Sequence, residues 1–208
     1  MVQCGQMYGF CIHRRTARIF RSAVNSIDQG VGNMCSNTKK KIAMALRQLM
    51  NERSFEKITV QNLMDVTQMK RQSFYYHFQD TRDVLMWICR RDVFEPLMAS
   101  DLELEDWMLL ALELLANDRC FYRKLLKAAH LDFLQEFDTI IEPRMLALLY
   151  PGRTLAQLTE NQRFALDFIT DAACLRIIRF VDSRDPMDPA VLRSKVEYLI
   201  RAFSTASL

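Results

Sequence analysis

The chain has 208 residues, of which 50% are hydrophobic, 10% aromatic and 25% charged, with only five Gly and five Pro. This apolar content excludes a disordered chain, and the charges interrupt every apolar stretch before it reaches the length of a membrane span, about 18 residues. Low Gly and Pro content with abundant Leu, Ala, Met and Arg favours helices over a turn-rich β-sandwich. The composition therefore predicts an all-α protein.

The net charge of +3 is unevenly distributed along the chain. Residues 1–37 carry four Arg and one Asp, which gives +3, and residues 38–90 carry ten basic and five acidic side chains, which gives +5. Residues 91–208 carry 14 basic and 19 acidic side chains, which gives −5. A basic block before an acidic one is typical of a protein whose first part meets a polyanion. Ordinary surface variation explains the same charges, so charge alone leaves both interpretations open.

The six cysteines show neither a CxxC pair nor a Cys/His cluster at zinc spacing, so we predict no metal site and no cofactor. Cys89, Cys120 and Cys174 each lie in an apolar helical pattern, which predicts buried free thiols. Since no secretory apolar segment is visible, we expect a cytoplasmic protein in a reducing environment.

Residues 1–37 differ from the rest of the sequence. They hold four of the five Gly and one acidic residue, and their apolar periodicity is weak. We interpret them as a disordered or extraneous N-terminal tail. An organellar presequence and a true start at Met34 are alternative interpretations.

A helical period begins at Thr38 and places Ile42, Leu46, Leu49 and Met50 on one stripe. Further along, two polar residues are predicted to cap helices, and the break Gln68-Met69-Lys70 separates two short amphipathic segments. The predicted caps are Thr59 and Asp80. Short helices joined by a tight turn describe a helix-turn-helix unit, so we assign residues 38–90 to one domain and residues 91–208 to a second helical domain.

The second domain is predicted to contain five helices, at 102–116, 118–130, 131–149, 156–182 and 188–205. Pro143 is expected to kink or end the third of them. Pro151-Gly152 and the Pro-containing segment 185–189 are the predicted breaks around the fourth helix.

The segment after the break has the chemistry of a recognition helix. Phe74 and Phe78 are spaced i and i+4, so they bury one face, while polar and aromatic side chains remain on the other. Arg and Gln can form bidentate contacts with guanine and adenine edges, and Ser, Tyr and Lys suit phosphate oxygens. The opposing interpretation is that the two adjacent Tyr pack on a neighbouring subunit and that the basic residues are ordinary surface.

Residues 58–80, ITVQNLMDVTQMKRQSFYYHFQD, resemble the DNA-binding domain of TetR/AcrR-type transcriptional regulators, and the resemblance covers roughly residues 40–90. The F-Y-x-H-F run, the following D-x-x-D-V and Trp87 are similar to a branch that includes dihydroxyacetone-kinase regulators. The resemblance implies a ligand-responsive homodimer that represses transcription from a palindromic operator. Together with the residue chemistry, it gives the candidate DNA contacts Thr59, Gln61, Lys70, Arg71, Gln72, Ser73, Tyr75, Tyr76, His77, Thr81 and Arg82.

Two positions depart from the pattern of that family. Gln68 stands where a Gly usually provides a positive φ, at a cost of about 1 kcal/mol. Thr81 followed by Arg82 stands where a phosphate-binding Lys is common, so either residue is a candidate for that contact.

The resemblance also implies roles for the second domain. The segments 156–182 and 188–205 are expected to form a four-helix bundle with a second copy. The stripe of the first segment is Leu166, Ile169, Ala173, Arg176, Ile177 and Phe180, and that of the second is Val191, Val196, Leu199, Ile200 and Phe203. The region 102–150 is expected to enclose an unidentified small-molecule effector, with the candidate lining residues Phe121, Tyr122, Leu125, His130, Phe133, Phe137 and Met145. For both sets the alternative is ordinary intramolecular core.

The sequence contains no GxSxG, P-loop, GxGxxG or HExxH motif, so we do not predict an enzyme. The competing hypothesis is a helical protein-interaction or scaffold protein that keeps the fold but has lost DNA readout, which would be consistent with Gln68 and Thr81.

Overall fold

The structure of the protein is a computed structural model that describes residues 33–183 and 189–205. The chain divides into two units, Met1–Val31 and Gly32–Leu208, and every described residue belongs to the second. Most of the predicted N-terminal tail and most of the predicted break at 185–189 therefore lie outside the described residues. Within the described part, the regular elements are all helical, which confirms the all-α prediction.

Ten α-helices follow one another in the described chain. They are α1 (Asn33–Glu52), α2 (Val60–Thr67), α3 (Arg71–His77), α4 (Thr81–Cys89), α5 (Glu95–Ala99), α6 (Leu104–Asn117), α7 (Arg119–Ala128), α8 (His130–Leu149), α9 (Glu160–Asp182) and α10 (Pro189–Thr205). Short 3-10 helices occupy Phe55–Lys57 and Leu155–Gln157, and a π-helical turn spans Arg90–Phe94 between α4 and α5.

The first four helices form the unit that carries the predicted motif. The stripe predicted on α1 is buried, because Ile42, Leu46, Leu49 and Met50 are each at most 3% exposed. This stripe packs against α2 and α4, and α1 also contacts α7. Both predicted caps are confirmed: Thr59 caps α2, and the Asp80 carboxylate accepts a 2.8 Å hydrogen bond from the Asp83 amide at the start of α4.

The backbone is continuously helical from Thr81 to Ala99, through α4, the π turn and α5. The predicted domain boundary at residues 90 and 91 thus falls inside a helical segment, and α4 connects the motif to the helices behind it. Trp107 of α6 is fully buried beneath this segment, where its indole N–H donates a 3.0 Å hydrogen bond to the Leu97 carbonyl.

Several helix ends differ from the sequence prediction for local reasons. α1 begins five residues before Thr38, in a polar stretch that has no apolar period to reveal it. α9 begins at Glu160, because Thr159 and Gln162 form a capping box there, and only a 3-10 turn precedes it. Pro143 does not end α8, which continues to Leu149. The predicted break at Pro151-Gly152 is present, and Gly152 has φ +77°.

Cys89 and Cys174 are buried free thiols, as predicted, but the prediction is wrong for Cys120, which is exposed. The buried face of α7 is defined by Phe121, Tyr122 and Leu125, and Cys120 lies on the other side of the helix.

Candidate nucleic-acid interface

Local hydrogen bonds fix both ends of α2. At the start, the Thr59 hydroxyl accepts from the Asn62 amide at 3.3 Å, while the Asn62 side chain accepts from the Thr59 amide at 3.0 Å. At the end, Gln68 adopts the left-handed conformation, with φ 56° and ψ 34°, as predicted for this position. Its side-chain Nε2 donates a 2.6 Å hydrogen bond to the Asp65 carbonyl, which satisfies one of the acceptors left open at a helix end. The turn into α3 therefore forms without a glycine.

The orientation of α3 is set by two phenylalanines. Phe74 is fully buried and Phe78 is 3% exposed, with their ring centroids 5.9 Å apart. Phe78 also packs edge-on against Trp87 of α4, at 6.0 Å between centroids. Because residues four apart share one face of a helix, burial of these rings directs the opposite face of α3 to solvent.

The solvent face of α3 carries most of the predicted DNA contacts. Lys70, at the N-cap, and Arg71, Gln72, Tyr75 and Tyr76 are exposed, with Tyr76 at 81% and Tyr75 at 52%. Ser73 and His77 are half-buried. Cations, amides and flat aromatic rings are thus concentrated on one short helix, which is the chemistry that phosphates and base edges require.

The remaining predicted contacts lie on α2 and α4. Thr59 and Gln61 are exposed, and the Gln61 amide donates a 2.7 Å hydrogen bond to Asp65 one turn later. Thr81 is half-buried at the first position of α4. Arg82 is exposed, but its guanidinium donates a 3.1 Å hydrogen bond to Asp132 of α8, so any phosphate would compete with that carboxylate.

A cation that the sequence analysis did not assign to the interface lies beside the end of α3. The Lys39 ammonium of α1 is 5.6 Å from the centroid of the Phe78 ring. Burial, followed by the charge of Lys39, lowers the pKa of His77, which favours the neutral imidazole. The sequence does indicate this position, because Lys39 lies three residues before Ile42 and seven before Leu46 and therefore falls on the buried stripe of α1.

Charged side chains join the motif-bearing helices to α7 and α8. Arg90 donates to both carboxylate oxygens of Glu136, with Nε–O distances of 2.8 and 3.0 Å. Arg47 of α1 forms ion pairs with Asp92 and Asp118, and its guanidinium lies 4.0 Å from the centroid of the Phe121 ring. These contacts link α1 and α4 directly to the region in which an effector site was predicted.

Six of the seven predicted effector-site residues are buried, and the exception is His130, which is exposed at the first position of α8. The rings of Phe133 and Phe137 stack at 5.6 Å and 8°, and Phe137 also contacts Trp107. Phe121 instead faces Arg47 of α1. The predicted set is therefore divided between different packing contacts, and its one histidine is exposed.

The last two helices expose apolar side chains. On α9, Phe164 and Phe168 are 71% and 65% exposed and stack on each other at 6.3 Å, and Leu175 is 42% exposed. On α10, Tyr198 and Leu199 are 69% and 48% exposed. The α9 stripe expected to meet a partner is different: its Leu166, Ile177 and Phe180 are buried within the chain, because α9 packs that face on α8 and α7. Of the predicted α10 stripe, Val191 and Leu199 are exposed and Val196 is buried. Phe203 and Ile200, predicted on the α10 stripe, have side chains outside the described set.

No helix within residues 33–183 and 189–205 is long and apolar enough to cross a membrane. Over the same residues, the His, Cys, Asp and Glu side chains form no group that could hold a metal ion.

The capped α2, the left-handed turn and the amphipathic α3 define a helix-turn-helix in an all-α protein. No protein-family model matches the chain. Over 91 residues the chain is 33% identical to the HTH-type dhaKLM operon transcriptional activator DhaS of Lactococcus lactis subsp. lactis (strain IL1403). This match covers 42% of the chain and 48% of the relative, so the chain spans about half the length of the curated relative it matches.

The fold is similar to the solved structure of a dihydroxyacetone kinase operon activator DhaS, with a TM-score of 0.54 and 23% identity. The superposition covers 79% of this chain and 94% of that one, which shows a shared fold. Both relatives are named as activators of transcription.

Proposed function

We propose that the chain is a TetR/AcrR-type transcriptional regulator that binds a palindromic operator through α3 as a homodimer in the cytoplasm. The single observation that carries this proposal is the solvent face of α3, where Arg71, Gln72 and Tyr76 project from a helix fixed by two buried phenylalanines. Arg71 and Gln72 lie in the first turn, the part of a recognition helix that reaches base edges. Lys70, Ser73 and Tyr76 have the donors needed for phosphate oxygens.

A homodimer is proposed because both terminal helices present apolar side chains to solvent. The stacked pair Phe164 and Phe168 is exposed on α9, and Tyr198 and Leu199 are exposed on α10. Large exposed aromatic groups are typical of an interface. Two copies related by a two-fold axis would carry their α3 helices into half-sites centred about 34–36 Å apart.

An effector in the region 102–150 remains part of the proposal, and the ion pairs suggest how it would act. Asp132 and Glu136 lie one turn apart on α8 and bind Arg82 and Arg90 of the α4 segment. A shift of α8 on ligand binding would move this segment and change the separation of the two α3 helices. Our prediction of repression stays a prediction, since both named relatives are activators. A reporter fused to the bound promoter, with and without the regulator, determines the direction.

The DNA-binding proposal is tested by fluorescence anisotropy with duplexes from the protein's own promoter region and a scrambled duplex, at several salt concentrations. We expect the specific duplex to bind more tightly and both affinities to fall with salt. Arg71→Ala should weaken specific binding by about 1–3 kcal/mol per contact, and the preference should relax at one position of the half-site. Arg153→Ala, on the loop after α8, is the matched control and should leave binding unchanged.

The scaffold hypothesis makes the opposite prediction. It expects no salt-sensitive preference for any promoter duplex, and partner binding that survives both Arg71→Ala and Tyr76→Ala. If substitutions throughout residues 70–77 leave DNA affinity unchanged in a folded protein, the regulator proposal is wrong and the scaffold hypothesis takes its place.

A further inference from the structure

Two ion pairs of different geometry join α8 to the α4 segment. Arg90 donates to both carboxylate oxygens of Glu136, with Nε–O distances of 2.8 and 3.0 Å, and its Nη1 lies 3.9 Å from Oδ1 of Asp83. Arg82 meets Asp132 through one nitrogen, Nη1, at 3.1 Å. The side chains of Arg82 and Asp132 are 54% and 37% exposed, so water reaches both charges. The Arg82 pair is therefore the weaker of the two, because an exposed ion pair without bidentate geometry contributes little to stability.

Asp132 keeps a favourable position without Arg82. It lies in the first turn of α8, where the partial positive charge of the helix N-terminus stabilises a carboxylate. The carboxylate is also partly hydrated, so the loss of its partner leaves no buried, uncompensated charge. Arg82 can therefore leave Asp132 at a low cost in stability.

The guanidinium of Arg82 is placed where a second anion can compete for it. Arg82 is the second residue of α4, and only residues 78–80 separate that helix from α3. The start of α4 is fixed beside the end of α3, because Phe78 packs on Trp87 and Asp80 caps α4. Under the proposed function, an arginine beside the recognition helix is a candidate contact for the phosphate backbone. A guanidinium suits carboxylate and phosphate alike, so the two anions are alternatives for Arg82.

We propose that Asp132 competes with DNA for Arg82, as an autoinhibitory contact between α8 and the DNA-binding part of the chain. In the free protein the carboxylate binds the guanidinium, and on DNA a backbone phosphate takes its place. The Arg90–Glu136 pair persists in both states and keeps α8 against the α4 segment. The exchange is independent of DNA sequence, because the competing group is a phosphate. This inference rests on the proposed DNA-binding function and concerns its regulation.

The competition makes DNA affinity depend on the position of α8. Since Arg82 must give up Asp132 to bind DNA, its phosphate contact contributes only the difference between the two interactions. A change that draws the start of α8 away from Arg82 would remove the competitor and strengthen DNA binding. By linkage, DNA binding would favour the same displacement of α8.

The test is a double-mutant cycle on the full chain, measured by fluorescence anisotropy with the specific and scrambled duplexes at several salt concentrations. Asp132→Asn removes the competing charge, Arg82→Gln removes the guanidinium, and the double variant removes both. Asp138→Asn, at an exposed aspartate of the same helix, is the matched control for loss of one negative charge. Thermal unfolding of each variant shows whether it is folded at the assay temperature, and Asp132→Ser is a second variant without the charge.

We expect Asp132→Asn to tighten binding to both duplexes by the same factor, about 1.5- to fivefold per subunit, which is the range of an exposed ion pair. Arg82→Gln should weaken binding to both duplexes and flatten the slope of log K against log salt by about one per contact. In the Arg82→Gln background, Asp132→Asn should have no more effect than Asp138→Asn, because no guanidinium remains to compete for.

Three results would overturn the inference. In the first, Asp132→Asn and Asp132→Ser bind no more tightly than Asp138→Asn, although Arg82→Gln weakens binding. In the second, Asp132→Asn tightens binding equally with and without Arg82, which would indicate general repulsion between its carboxylate and DNA. In the third, Arg82→Gln leaves affinity and salt slope unchanged while Arg71→Ala weakens specific binding, so that the proposed function stands without an Arg82 contact. A wild-type protein without salt-dependent DNA binding overturns the proposed function itself and this inference with it.

Discussion

The guanidinium of Arg71 and the hydroxyl of Tyr75 are joined by a 3.2 Å hydrogen bond, one turn apart on the exposed face of α3. The same guanidinium lies 5.7 Å from the centroid of the Tyr75 ring, which in turn packs edge-on against the buried Phe74. Phe74 thus supports Tyr75, and Tyr75 restrains Arg71. A restrained arginine loses less side-chain entropy when it binds a base, so under the proposed function Tyr75 would contribute to readout even without touching DNA.

Removal of the Tyr75 hydroxyl should therefore have a small and specific effect. We expect Tyr75→Phe to weaken binding to the operator by about 0.5 kcal/mol, because a net hydrogen bond contributes on the order of 0.5–1.5 kcal/mol and this one is exposed. In an Arg71→Ala background the same change should have almost no effect, since its partner is gone. Anisotropy titrations of the two single variants and the double variant measure this coupling. Equal effects in both backgrounds would instead indicate that the hydroxyl contacts DNA directly.

Gln68 should tolerate glycine but not a β-branched residue. In Gln68→Gly the strain of the left-handed conformation is relieved, which offsets the greater entropy of the unfolded chain and the lost bond to Asp65. We expect its stability to remain within about 1 kcal/mol of the wild type. Gln68→Val retains the positive φ with a branched side chain and should cost about 1–2 kcal/mol. Urea denaturation gives both values, and a stable Val variant would show that the turn adopts another conformation.

Asp92 should make stability fall as the pH rises through its titration range. Burial raises the pKa of Asp92 against the opposing attraction of Arg47. The unfolded chain therefore releases this proton at lower pH than the folded protein does. As the pH rises from the ordinary pKa of Asp, about 3.9, to the raised value, unfolding becomes more favourable. This contribution is absent in Asp92→Asn.

The measurement is urea unfolding of wild type and Asp92→Asn at a series of acidic pH values. The stability of the wild type relative to the variant should decrease as pH increases through the window. Asp101→Asn, at an exposed aspartate, serves as the control for removal of a carboxylate. A difference that grows with pH would mean that the ion pair with Arg47 outweighs the cost of burial.

Phe168→Ser should weaken the proposed dimer without unfolding the subunit, because the ring is 65% exposed in the single chain. Burial of a Phe side chain contributes about 1.5–3 kcal/mol, and a symmetric interface contains it twice, so we expect a loss of about 3–6 kcal/mol of association free energy. Sedimentation equilibrium measures the change. Leu131→Ser, an equally exposed apolar residue on α8, is the control. Unchanged association of Phe168→Ser would exclude this face of α9 from the interface.

The motif could be predicted in detail because its determinants are close together in sequence. The cap at Thr59 bonds three residues ahead, the Gln68 side chain bonds three residues back, and Phe74 and Phe78 are one turn apart. Interactions of this range depend on the local backbone alone, so the sequence by itself determined the helix-turn-helix and its buried face. The start of α9 was recognisable in the same way from Thr159 and Gln162, although the longer apolar pattern drew the prediction to residue 156.

Contacts between distant residues were decided only by the tertiary structure. Arg82 meets Asp132 fifty residues away, and Arg47 meets Asp118 seventy-one residues away. Such pairs depend on how far one helix slides and turns on another, which no local pattern specifies. The same holds for α9, which has apolar side chains on more than one face: periodicity identified one stripe, through Leu166, but packing on α8 determined that Leu166 is buried and Phe168 is left exposed. The sequence of a helix determines which of its side chains can be buried, and the packing of whole helices determines which of them are buried.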